Sequence, residues 1–413
     1  MIAGMVTTTF DVQKIREDFP VLARELNGLP LVYFDNAATT QKPQATIDAI
    51  VEYYKKYNAN IHRGLHTLAE EATAAYEQTR DFVKKMVNAA TREEIIFTGG
   101  TTDGINLVSN ILSKGYLKAG DEIVISAMEH HSNIVPWQMA CEQTGAVLKV
   151  IPIFDDGTLD MEAYLSMLSD RVKLVSVVYV SNALGTINPV KAIVQAAKKV
   201  GALTLIDGAQ STAHFDIDVQ DIGCDFYAFS GHKLYGPTGI GVLYGRKALL
   251  ESLPPYRGGG EMIKDVTFEK TTYNELPYKY EAGTPNIADT IALLRSLEYL
   301  QDLGKPNLHA YEQTLLDYGT ALLQDIKGIR LVGTAPQKVS ILSFVIDGVH
   351  PQDVGILLDN MGIAVRTGHH CTQPLMDRLG IPGTIRASLA FYNTKEELDY
   401  FAKSLRRAIS MLL

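Results

Sequence analysis

Lys233 stands in Ser230-Gly231-His232-Lys233, and Asp207 opens the upstream segment Asp207-Gly208-Ala209-Gln210. An amine held in a desolvated site forms an imine with an aldehyde, and a carboxylate beside a pyridine nitrogen keeps that nitrogen protonated and the ring electron-withdrawing. The pair therefore has the chemistry to hold pyridoxal phosphate, with Lys233 as anchor and Asp207 as partner of the ring nitrogen. A lysine after a small-residue turn also suits a plain surface position, so the neighbouring segments matter.

Gly99-Gly100-Thr101-Thr102-Asp103-Gly104 follows an apolar run ending at Thr98 and precedes a helical pattern over residues 105–112. Glycines let backbone N–H groups approach an anion, a helix start supplies unpaired donors, and Thr101 and Thr102 add hydroxyls, which together suit a phosphate. An ordinary connector has the same composition, and the absence of a Walker-A lysine or a G-x-G-x-x-G disfavours a nucleotide. His130, in Glu129-His130-His131-Ser132-Asn133, is placed to lie on a pyridine face and to exchange protons near neutral pH, since imidazole titrates at about 6.5; a capping or core histidine reads the same way locally. Asn182 follows the most apolar run and could turn its amide to a cofactor hydroxyl or substrate carboxylate, or serve only its turn. Arg386 lies among apolar neighbours and needs an anion. The carboxylate of an amino-acid substrate would match its fork, and an internal ion pair would serve equally.

Arg366-Thr367-Gly368-His369-His370-Cys371 puts a cysteine on a glycine-initiated loop rather than in an apolar run. Thiolate is the nucleophile, and the flanking histidines and Arg366 could help to generate it. Cys141 and Cys224 fall in a helical and a strand pattern and read as structural. Adjacent pairs such as His130-His131 and His369-His370 seldom both ligate one ion, so no metal site is expected.

The elements that must position these groups alternate. β-rich runs at 31–35, 94–98, 122–126, 173–180, 202–207 and 225–230 are separated by helical patterns, and several are apolar on both faces. This predicts an α/β unit with a mostly parallel sheet between helices, whose ligands bind beyond the carboxyl ends of the strands. A helix over 287–303 leads to Gly304-Lys305-Pro306. Beyond it, strands at 338–346, 364–367 and 384–391 and a last helix opened by Thr394-Lys395-Glu396-Glu397 predict a smaller C-terminal α+β domain. The expected division is 1–30 as an N-terminal segment, 31–304 as the large domain and 305–413 as the small domain carrying Cys371. The 413 residues carry a formal net charge of -9, which argues against nucleic acid and anionic membrane as partners. Three cysteines make no disulfide framework, and the first ten residues carry no basic, apolar leader, so the expected location is the cytoplasm.

With these motifs in place, the chain resembles the cysteine desulfurases of the SufS type over nearly its whole length. Tyr33-Phe34-Asp35-Asn36-Ala37-Ala38-Thr39-Thr40, Asn60-Ile61-His62-Arg63-Gly64, Arg257-Gly258-Gly259-Gly260-Glu261 and Glu281-Ala282-Gly283-Thr284-Pro285-Asn286 add to the likeness. The resemblance implies a fold-type-I pyridoxal-phosphate homodimer that converts L-cysteine to L-alanine and passes sulfur from a Cys371 persulfide towards iron–sulfur cluster assembly. It also implies roles: Thr101, Thr102, Ser230 and His232 around the phosphate, Gln210 near the ring oxygen, His130 on the ring face, and Gly283 and Thr284 reaching the neighbouring subunit's site. Arg386, Asn182 and Arg366 are the expected substrate-side groups. Two departures are visible, Asp103 where glutamate is commoner and Gln352 where relatives served by a zinc-bearing SufU-type acceptor carry histidine. Glutamine is a poor zinc ligand, so a SufE-type acceptor is expected. A selenocysteine lyase, or another class V pyridoxal-phosphate enzyme, is the alternative.

Overall fold

A computed structural model describes residues 10–413; the first nine residues of the expected N-terminal segment lie outside it. A seven-stranded sheet runs, in spatial order, Ile95–Thr98, Gly241–Gly245, Phe226–Ser230, Leu203–Asp207, Val172–Val178, Glu122–Ser126 and Val147–Ile151. Gly241–Gly245 is antiparallel to both neighbours, and the remaining pairs are parallel. Its central strands are buried on both faces, as in Phe226–Ser230, because parallel connections lay helices over each side. The outer strand Val147–Ile151 is half exposed, and Lys149 on it pairs with Glu122 at 2.8 Å, a charge that discourages edge-to-edge pairing.

The C-terminal sheet is antiparallel throughout, in the order Ile329–Val332, Ile341–Ile346, Thr384–Ser388, Arg366–Gly368. Helices Lys305–Gln324 and Lys395–Leu412 pack together against it. The last helix starts with the expected capping box: Glu397 N–H donates to Thr394 Oγ1, and the Glu397 carboxylate accepts from Thr394 N–H. Helix Ile287–Leu303 has the expected bounds, with Asn286 capping its first turn.

Two expectations are corrected. The run at 31–35 does not join the large sheet: Val32–Tyr33 pairs in parallel with Ile363–Ala364, and Val32 and Phe34 pack with Phe344 and Phe401 in the C-terminal core. A short apolar run encodes that it is a strand, but its partner is chosen by tertiary packing. The stretch 364–367 is likewise split, since Arg366–Gly368 turns to pair with Thr384–Ser388 instead. Both shifts matter for the site, because they bring residue 35 and the cysteine loop to the carboxyl ends of the large sheet's strands. No helix among the described residues is long and apolar enough to cross a membrane.

Candidate active site

Strands Leu203–Asp207 and Phe226–Ser230 end side by side, delivering Asp207 and, one short turn later, Lys233 to a cavity of ≈ 260 Å³. Burial pushes the Lys233 amine down to about 8, with the nearby Asp207 charge opposing that fall. The same burial raises the Asp207 carboxyl, against the Ala209 N–H that it accepts at 2.9 Å and the Lys233 charge. Lys233 is thus an amine that can shed its proton close to neutral pH.

On one side of the cavity the turn after Ile95–Thr98 starts helix Thr101–Ser113. Its N-cap, Gly100, sits at φ +137 and has no side chain to cap the helix. The space is tight as well, since a Cβ added to Gly241 would stand 2.5 Å from Gly100 Cα. Ser230 Oγ accepts from Thr101 N–H at 2.8 Å and lies 2.8 Å from the Thr101 hydroxyl. Thr101, Thr102, Ser230 and His232 all line the cavity here, and hydroxyls beside an open helix start form an anion cradle.

His130 also lines the cavity. Its Nδ1 accepts from Ser132 N–H at 3.1 Å, which leaves the remaining ring proton on Nε2, and burial, ahead of the Lys233 charge, drives its pKa down to about 3. The imidazole therefore offers a flat neutral ring and one donor rather than the exchangeable proton near neutral pH expected from its ordinary pKa. Gln210 donates to the Ala37 carbonyl at 2.7 Å and keeps its amide oxygen for the cavity.

Arg386 enters from the C-terminal sheet. It donates to Asp35 Oδ1 from Nη2 at 3.0 Å and to the Asn182 carbonyl from Nη1 at 2.9 Å, so the internal ion pair exists. Three buried polar atoms on cavity-lining residues nevertheless have no partner among the described residues: Arg386 Nε, Asn182 Oδ1 and His370 Nδ1. Buried polar groups are rarely left so. Their clustering, with the anion cradle and the Lys233–Asp207 pair, fits a phosphorylated pyridine aldehyde and an amino-acid substrate.

Cys371 also lines this cavity and is exposed, whereas Cys141 is half-buried, Cys224 is buried, and none of the three is bonded to another. His370 and Cys371 both hold left-handed backbone, φ 53 and 58. Asn182 Nδ2 braces the loop by donating to the His370 carbonyl at 2.8 Å. The expectation that the flanking histidines charge the thiol is corrected at His370, which burial drives to about 2 and so keeps neutral. The cations that share the cavity with Cys371 are Lys233, Arg386 and Arg366, the last ion-paired with Asp35 at 3.1 Å.

Gly283 and Thr284 line a different cavity, with Gly99 and Asp103 of the same glycine turn. Sequence reasoning assigned no role to Asp35, which joins the two arginines, or to Lys42. The half-buried Lys42 amine donates to the His232 carbonyl at 2.9 Å next to Lys233, and desolvation lowers its pKa to about 7. A single acid ending an apolar run was the available signal for Asp35; nothing local marks Lys42.

The class-V aminotransferase family model matches residues 32–401. The chain belongs to that family. It is 54% identical to a cysteine desulfurase of Synechococcus elongatus over 96% of its own length and 64% of that relative's. It is 50% identical to a cysteine desulfurase of Klebsiella pneumoniae, over 98% of this chain and 100% of the other. The chain spans 64%, 58% and 65% of the length of three of the curated relatives it matches. Among solved structures, this class-V fold superposes on the cysteine desulfurase CsdA from Escherichia coli with a TM-score of 0.91 and 38% identity, covering 98% of this chain and 100% of that one. Among the described residues no cluster of three or more His, Cys, Asp or Glu side chains is placed to hold a metal ion.

Proposed function

We propose that this protein is a pyridoxal-phosphate-dependent cysteine desulfurase, turning L-cysteine into L-alanine and holding the released sulfur as a persulfide on Cys371. The observation that carries this reading is an exposed thiol on a left-handed turn, lining the same cavity as Lys233 and the buried Asp207. The names of the relatives support it. Bound pyridoxal phosphate supplies an electron sink for the substrate's Cα.

The chain's own groups do the rest. Lys233 anchors the cofactor and, with its pKa lowered to about 8, takes the Cα proton on Nζ. Asp207 holds the ring nitrogen's proton, His130 covers the ring face, Gln210 meets the ring oxygen, and Thr101, Thr102, Ser230 and His232 hold the phosphate. Arg386 orients the substrate carboxylate through its unpartnered Nε, with Arg366 lining the same cavity, and the unpartnered Asn182 Oδ1 is an acceptor for a cofactor hydroxyl beside it. The Cys371 thiolate then attacks the substrate sulfur. As the S–S bond forms, the C–S bond breaks, its electron pair stays with carbon, and a proton there completes alanine.

The same reading makes the protein a cytoplasmic homodimer, with Gly283 and Thr284 completing the partner's phosphate site. The main division between the large and small domains falls at Gly304, between helices Ile287–Leu303 and Lys305–Gln324, with the run around Val32–Phe34 packing on the small domain's core. A SufE-type acceptor is favoured over a SufU-type one, and delivery serves iron–sulfur assembly. Gln352 is exposed at the start of helix Pro351–Asn360, and His350 accepts the Gln352 N–H on its Nδ1 at 3.3 Å as that helix's cap. Alanine formation from L-cysteine and from L-selenocysteine, each with either acceptor, tests this. Turnover of cysteine stimulated by the SufE type supports it; turnover confined to selenocysteine, or stimulation by the zinc-bearing acceptor alone, overturns it.

A further inference from the structure

His131 directly follows the ring-face residue His130, yet it faces the other way along the fold. Its backbone N–H donates to the Cys371 carbonyl at 2.8 Å. Its ring Nε2 accepts from Gln373 N–H at 3.1 Å. One residue of the large sheet's unit thus grips the chain at two points just after the thiol-bearing Cα.

The anchor behind it is rigid. His131–Asn133 is a single helical turn whose Asn133 is fully buried, donating to Glu129 Oε2 at 2.6 Å and accepting from Trp137 Nε1 at 2.8 Å and from Ser176 Oγ at 2.6 Å. Glu129 in turn accepts the Val178 N–H at 2.9 Å at the end of a central strand. The held loop, by contrast, carries two successive non-glycine residues in left-handed backbone, His370 and Cys371, a conformation that persists only when its surroundings over-determine it.

We propose that His131 is a positioning residue: acting through the Gln373 amide and the Cys371 carbonyl, it holds the Cys371 thiol over the cavity that His130 lines. This rests on the desulfurase reading for its kinetic consequence, but the clamp itself is independent of it. Removing the ring leaves the backbone bond to Cys371 in place, so the side chain's share can be isolated. A nucleophile moved by about an ångström loses on the order of a hundredfold in rate at most sites; loss of one of several loop contacts is expected to lower kcat about tenfold.

The test compares wild type, His131→Ala and His131→Gln in the cofactor-loaded enzyme. Glutamine places an acceptor oxygen near the position of Nε2. Hydrogen exchange at the Gln373 amide is measured together with kcat and KM for cysteine and with the cofactor's visible spectrum. Faster exchange and a kcat about tenfold lower in His131→Ala, with KM and spectrum unchanged and both effects reversed in His131→Gln, is the expected result. Unchanged Gln373 exchange, unchanged kcat, or a loss of cofactor binding that parallels the rate loss overturns the proposal. If His131→Ala is unstable, His131→Phe, which keeps ring volume and lacks the acceptor, makes the same comparison. A wild type that yields no alanine from cysteine defeats the desulfurase reading, while the exchange measurement still decides the clamp.

Discussion

Arg386 is ion-paired with Asp35, Nη2 to Oδ1 at 3.0 Å, while its buried Nε has no partner among the described residues. Asp35 fixes the guanidinium plane and relieves part of the cost of burying it, and a free edge remains for a second anion. A substrate carboxylate at that edge makes a charge-assisted bond of about 1.5–3 kcal/mol. Arg386→Lys keeps the charge and loses the fork, so KM for cysteine should rise about 10- to 100-fold while the cofactor still binds. Steady-state kinetics with cofactor occupancy checks this, and an unchanged KM places the carboxylate elsewhere.

Lys233 is the cavity-lining amine whose pKa burial lowers to about 8, which makes it the nucleophile for an aldehyde near neutral pH. Borohydride reduction of the cofactor-loaded protein should fix the cofactor on Lys233, as read by peptide mapping, and Lys233→Ala should bind cofactor only noncovalently. Lys42, whose amine donates to the His232 carbonyl next to Lys233 and whose pKa burial also lowers, is the internal control: reduced cofactor found there refutes the assignment.

Acid should weaken the fold through His370. Its folded pKa, about 2, lies below the ordinary 6.5, so below 6.5 the unfolded chain binds a proton that the folded chain refuses. The contribution is present above 6.5 and is lost as the pH falls through that value. Between pH 6.5 and 4.5 the melting temperature of wild type should therefore fall more steeply than that of His370→Gln, in which other titrating groups are unchanged. Parallel slopes would show that His370 is free to protonate in the folded state.

Much of the site was legible because its residues sit at the ends of strongly apolar strands. Asp207 and Ser230 close two such runs, and Arg386 interrupts a third, so chemistry and topology marked the same positions. Asp35 and His131 were not legible, since their partners, Arg386 and Gln373, are remote in the chain and meet them only after the two sheets dock. Gly241–Gly245 was not among the expected strands, yet it is an interior strand of the sheet, and its first glycine admits the close approach of Gly100. The neutral state of His130 was hidden for a related reason. A histidine's pKa follows its burial and neighbours, which no local spacing records.

The most direct measurement is a single turnover of the cofactor-loaded protein with L-cysteine, quantifying alanine and weighing the Cys371 peptide under non-reducing conditions. The account predicts one alanine per site and one added sulfur atom on Cys371, both lost in Cys371→Ala although that variant still binds cofactor and substrate. Alanine formed at the wild-type rate by Cys371→Ala, or sulfur found on Cys141 or Cys224 instead, would contradict it.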